Sequence, residues 1–92
     1  MEHLSIKEIH DRLESIKDWE LIGHEITKEF DFANFKEAIE FVQKVGEEAE
    51  KLHHFPDITI KNNKVTINLT TIEAYGLTHD DFKLARIIEQ LV

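Results

Sequence analysis

The chain has 92 residues, 41% of them hydrophobic, with a formal charge of −8 and no cysteine. That length fits one domain with one core, and the missing thiols exclude disulfides, zinc–thiolate sites and cysteine catalysis. The acidic surplus, with eleven Lys and Arg scattered among nineteen acids, argues against nucleic-acid binding through phosphates.

No apolar run approaches the roughly 20 residues of a membrane span. Met1-Glu2-His3-Leu4 shows no basic stretch leading into an apolar one, so a soluble, cytoplasmic protein is expected. A domain this small gains burial by self-association, which makes an oligomer the starting expectation.

In chain order, Ser5 and Glu8 form an S-x-x-E capping box, with Leu4 and Ile9 placed as a hydrophobic staple. Ile6, Ile9, Leu13 and Ile16 follow at helical spacing, predicting a helix to about Ile16. Trp19 to Ile22 reads as a short strand and Gly23 as a turn. From His24 to Phe32 the period becomes two, with Ile26, Phe30 and Phe32 inward and Glu25, Glu29 and Asp31 outward.

Asn34 and Glu37 repeat the capping signal for a long second helix. Phe35, Ala38, Ile39, Val42, Val45, Ala49 and Leu52 form one stripe along it. Phe41 falls off that stripe and widens the apolar face. The widening suggests either a broad core contact or burial against a second copy, through the helix spanning 34–52.

Pro56 ends the helical region. Ile58 and Ile60, then Val65, Ile67 and Leu69, alternate with polar residues about Asn62-Asn63, a hairpin with a tight turn. Gly76 lies in a loop. Thr78 and Asp81 then cap a last helix with Leu84, Ala85, Ile88 and Leu91 on its apolar face. The order α-β-β-α-β-β-α predicts an α+β domain spanning residues 1–92, an antiparallel four-stranded sheet with helices packed on it.

The least ordinary stretch is Glu50-Lys51-Leu52-His53-His54-Phe55-Pro56. Histidines at a helix C-terminus have an electrostatic explanation, since an imidazolium is favoured at the negative end of the helix dipole. A metal site is not indicated: adjacent side chains diverge on a helix, and no H-x-x-x-H accompanies them.

The stretch also resembles the signature of the pterin-4a-carbinolamine dehydratase family, an acid, three residues, a histidine pair and a proline. The resemblance extends to Phe35, Ala38, Ala49-Glu50-Lys51-Leu52, Asn63-Lys64-Val65, Thr71, Glu73, Gly76-Leu77 and Asp81 at family-like spacing.

It implies loss of water from a 4a-hydroxytetrahydropterin to give the quinonoid dihydropterin, in pterin recycling after aromatic amino-acid hydroxylation. The departing hydroxyl needs a proton and N5 must lose one. Imidazole suits both tasks near neutral pH, with no metal or cofactor.

Carried over by position, the resemblance makes Glu50, His54 and Asp81 the catalytic candidates. His53, Phe55, Thr70 and Thr71 become substrate-binding candidates. Phe55 and Ile72 stand where the family carries two further histidines, and Asn62 stands where it carries an aromatic residue. His53 could supply a second imidazole if the helix end unwinds, and Phe55 could stack on the pterin ring. Family members also serve as dimerisation partners of a transcription regulator, so an interaction protein that has lost catalysis is the competing expectation.

Overall fold

A computed structural model describes residues 2–92. The element order is α1 (Ile6–Leu13), β1 (Glu20–Ile22), β2 (Glu25–Asp31), α2 (Phe35–Leu52), β3 (Asp57–Lys61), β4 (Lys64–Leu69), a 3-10 turn (Ile72–Ala74) and α3 (His79–Glu89). The four strands form one antiparallel sheet in the order β1-β2-β4-β3. This is the α+β arrangement that the alternating pattern predicts.

The helix starts follow from local chemistry. The Ser5 hydroxyl accepts the Glu8 N–H, and the Glu8 carboxylate accepts the Ser5 N–H. The Ser5 backbone N–H, and after it the Ser5 hydroxyl, hold the Glu8 carboxyl below its ordinary range. Asn34 Oδ1 accepts the Glu37 N–H at 2.9 Å. The first helix ends at Leu13, earlier than its spacing predicts. Ser15 and Ile16 make tighter bonds to the carbonyls of Arg12 and Leu13, and the Ser15 hydroxyl also takes the Arg12 carbonyl. Ile16 still reaches the core.

Cross-strand pairs place Ile26 against Leu69, Phe30 against Val65, and Ile58 and Ile60 against Ile67 and Val65. The buried members join Val45, Ala49, Phe82, Leu84 and Ile88 in one core. Lys28 lies on this inner face, opposite Ile67. Its ammonium sits 4.9 Å from the Phe30 ring centre and bonds Glu89 Oε2 at 2.7 Å, and the Trp19 indole N–H donates to the same oxygen. Phe41 is only 3% exposed and packs on Phe30 and Phe32, so it belongs to the core of its own chain and does not widen an outer face. Phe35, placed in the inward stripe from sequence, is 54% exposed at the first turn of α2.

The hairpin turn places Asn62 at φ 58, a left-handed conformation that asparagine tolerates. The Asn63 side-chain amide donates to the Phe32 carbonyl. Gly76 is required for a different reason: a Cβ there would lie 3.0 Å from the Cβ of His3, because the N-terminal segment bonds Leu77.

The end of α2 controls everything downstream of it. His53 adopts φ 54, ψ 38, its N–H donates to the Glu50 carbonyl, and the His54 N–H reaches back to the Ala49 carbonyl. This pair of bonds is a Schellman termination, with histidine where glycine is usual. A left-handed residue with a Cβ carries strain, so His53→Gly is expected to stabilise the fold by about 0.5–1 kcal/mol, and the β-branched His53→Val to destabilise it by at least about 1 kcal/mol. Urea or thermal unfolding of the two variants checks this. A glycine variant less stable than the parent would count against the strain argument.

Candidate active site

The left-handed turn at His53 carries the chain away from the α2 axis and brings the next side chain, His54, against α3. There its Nε2 meets Asp81 Oδ1 at 2.5 Å, with the imidazole 11% exposed and the carboxylate fully buried. The other oxygen, Oδ2, accepts the Thr71 hydroxyl at 2.7 Å and the Thr78 backbone N–H at 2.8 Å. Thr78 Oγ1 lies 2.9 Å from Thr71 Oγ1.

Donor accounting orders this network. A carboxylate only accepts, so His54 donates through Nε2–H and Thr71 donates its hydroxyl proton. The Thr78 hydroxyl then donates to Thr71. Among the described residues, no buried side-chain polar atom lacks a partner. With Nε2 committed, Nδ1 is the ring atom left for proton transfer. The arrangement matches the role of an acid that fixes the tautomer and orientation of a working histidine.

The second side of the site comes from the end of β4. Thr70 donates its hydroxyl to the His24 carbonyl at 2.7 Å. Thr71 pairs with Gly76 through two backbone bonds that enclose the 3-10 turn. Between this segment and the turn after α2 lies a cleft of about 210 Å³ lined by His53, His54, Phe55, Thr70, Thr71, Ile72 and Glu73. Its mouth mixes aromatic, apolar and polar groups: Phe55 is 60% and Ile72 77% exposed, His53 and Glu73 are also exposed, and the His53 and Phe55 rings meet edge-on at 6.1 Å. A flat heteroaromatic ring suits such a slot.

Of the residues singled out from sequence, His53, His54, Phe55, Thr70 and Thr71 line this one cleft. Asp81 lies behind it and reaches it through His54. Glu50 does not line it: the helix stops between Glu50 and His54, so its exposed side chain stays on the helix surface while the histidine turns inward.

Glu73 also lines the cleft, and the Thr78 N–H also bonds Asp81. In the sequence Glu73 stands out only within the family-like pattern, and Thr78 only as a helix cap. Among the described residues, no cluster of three or more His, Cys, Asp or Glu side chains is placed to hold a metal ion. Among the described residues, no helix is long and apolar enough to cross a membrane.

Comparisons with known proteins identify the family. The family model described as pterin 4 alpha carbinolamine dehydratase matches residues 2–91. A relative from Picosynechococcus sp., provisionally named a pterin-4-alpha-carbinolamine dehydratase, is 48% identical over 88 residues, covering 96% of each chain. One from Sulfurisphaera tokodaii with the same provisional name is 44% identical over 92 residues, covering 100% of this chain and 99% of its own.

The crystal structure of a transcriptional coactivator/pterin dehydratase from Brucella melitensis superposes with a TM-score of 0.94 at 30% identity, covering 97% of both chains. A pterin dehydratase-like RuBisCO assembly factor of the alpha-carboxysome shares the fold alone, with a TM-score of 0.66 at 16% identity over 79% of this chain and 84% of its own. With residues 2–91 matched by the family model and relatives 44–48% identical over nearly the whole chain, the chain belongs to the pterin-4a-carbinolamine dehydratase family.

Proposed function

We propose that the chain dehydrates a 4a-hydroxytetrahydropterin to the quinonoid dihydropterin, with His54 as the acid–base group. The observation that carries this reading is the His54–Asp81 pair at the wall of the cleft. Asp81 holds the imidazole in one tautomer and stabilises the imidazolium, while Nδ1 exchanges protons with the substrate. Phe55 and His53 supply the flat contacts for the ring, and Thr70 and Thr71 line the facing side. The reaction is an elimination that neither oxidises nor reduces, so its chemistry calls for no redox cofactor.

Self-association is part of the same proposal. Phe35 is 54% exposed at the start of α2, and Ile39 and Val42 are only half-buried further along it. A homodimer or homotetramer joined through this helix would cover them. The exposed Phe35, with the coactivator name of the Brucella neighbour, also favours a second reading in which α2 serves a different protein partner.

Three outcomes test these proposals. His54→Ala is expected to lower kcat by roughly 10- to 10³-fold while changing ligand affinity less, measured on freshly generated carbinolamine. If the wild type turns over no faster than buffer, the dehydratase reading is lost and the interaction reading takes its place. Asp81→Asn keeps the shape but has one carbonyl oxygen, so its NH2 must oppose either the His54 Nε2–H or the Thr71 and Thr78 donors. It should reduce kcat and also cost about 1–3 kcal/mol of stability. An Asp81→Asn protein as stable and as active as the parent would remove the carboxylate from the mechanism. Light scattering at micromolar concentration should return a multiple of the chain mass, and a value near one chain would rule out the oligomer.

A further inference from the structure

We propose that a second hollow, beside the cleft, binds a small organic cation with an apolar stem, such as an alkylguanidinium, between Glu25 and the ring of Tyr75. Such binding is independent of the dehydratase reading.

The hollow has a volume of about 300 Å³. It lies between His24 and Glu25, at the start of β2, and the segment after β4, where residues 70–72, Tyr75 and Gly76 line it. Thr70, Thr71 and Ile72 also line the cleft, whereas Glu25 and Tyr75 do not. Hydrogen bonds already in place hold its walls. The Thr70 hydroxyl donates to the His24 carbonyl at 2.7 Å, and Thr71 and Gly76 exchange backbone bonds of 3.1 and 3.3 Å. Walls tied in this way need little further ordering when a ligand enters.

Three features select the ligand. Tyr75 is 84% exposed and stands in a left-handed conformation, φ 57 and ψ 34, with its N–H bonded to the Ile72 carbonyl at 3.0 Å. A residue with a Cβ carries strain there, and the closed turn that holds it leaves an aromatic face open to water. Ile72, 77% exposed on the same turn, offers hydrocarbon for an alkyl stem.

Glu25 supplies the charge. It is half-buried and, like the neighbouring Glu73, takes part in none of the ion pairs among the described residues. No Lys or Arg lines this hollow or the cleft. An anionic ligand would face both carboxylates with neither residue type to offset them. A carboxylate, an aromatic face and a hydrocarbon wall, in a chain of net charge −8, are complementary to a cation on an apolar stem.

The test titrates the protein with n-butylguanidinium and, separately, with its neutral isostere n-butylurea, at constant ionic strength. NMR follows the Ile72 methyls and the ring signals of Tyr75, the only tyrosine. The cation should shift both sets saturably, and the urea should leave them in place. Equal shifts with the two probes, or shifts that never saturate, would overturn the proposal.

Variants assign the binding to these residues, read at the Ile72 methyls. Glu25→Gln should weaken the cation at least about 3-fold. Glu20→Gln removes the same charge from an exposed position outside the hollow and should change nothing. Tyr75→Asn removes the ring but keeps a residue that tolerates the left-handed backbone, and should weaken the cation about 2- to 5-fold. If the two glutamate variants weaken binding alike, net charge alone attracts the probe and the site is refuted. It is equally refuted if Tyr75→Asn binds as tightly as the parent.

Discussion

A single buried carboxylate ties together three parts of the chain that are distant in sequence. Asp81 accepts from His54 after α2, from Thr71 at the end of β4 and from Thr78 at the start of its own helix. Burying a carboxylate is costly unless its oxygens are fully hydrogen-bonded. The three donors must therefore be present together, which sets the relative positions of α2, β4 and α3 at this end of the molecule. The same condition fixes the plane and tautomer of His54, so the His54–Asp81 pair forms as the chain folds.

The sheet provides the frame for that condition. β4 lies between β2 and β3 and buries Val65, Ile67 and Leu69 beneath the helices. A central strand so anchored emerges at Thr70 with little freedom, and the Thr71–Gly76 bridge closes the turn immediately beyond. On the other side of the cleft, the left-handed His53 does the equivalent work for α2. A rigid strand end and a sharply stopped helix end together leave a slot whose width is set by backbone geometry, with side chains only finishing its surface.

Much of the fold is legible in the sequence because its signals are local. The pairs Ser5 with Glu8, Asn34 with Glu37 and Thr78 with Asp81 are three residues apart, and each describes a helix start without knowledge of the rest. The hairpin at Asn62-Asn63 is equally local. What escapes is whatever depends on elements meeting.

Asp81 reads as a cap, which it is, but the bond to His54 spans 27 positions and no periodicity reports it. Glu50 and His54 look like neighbours on a helix face, four apart, until the helix stops between them. Phe41 seems to lie off the apolar stripe because its partners, Phe30 and Phe32, belong to a strand that the helical pattern alone does not take into account. Lys28 is a polar residue on an inward face, understandable only once Glu89 is beside it.

The bond from the Trp19 indole to Glu89 also gives the molecule an internal optical reporter. Trp19 is the only tryptophan, it is 6% exposed, and its partner is the last residue of α3. Indole emission shifts to longer wavelength when the ring meets water, so the tryptophan emission of this chain comes from one site with one interpretation. It follows the docking of the helix whose first turn carries Asp81, and the hydrogen-bond network at one end of α3 is thereby observable through the spectroscopy of its other end.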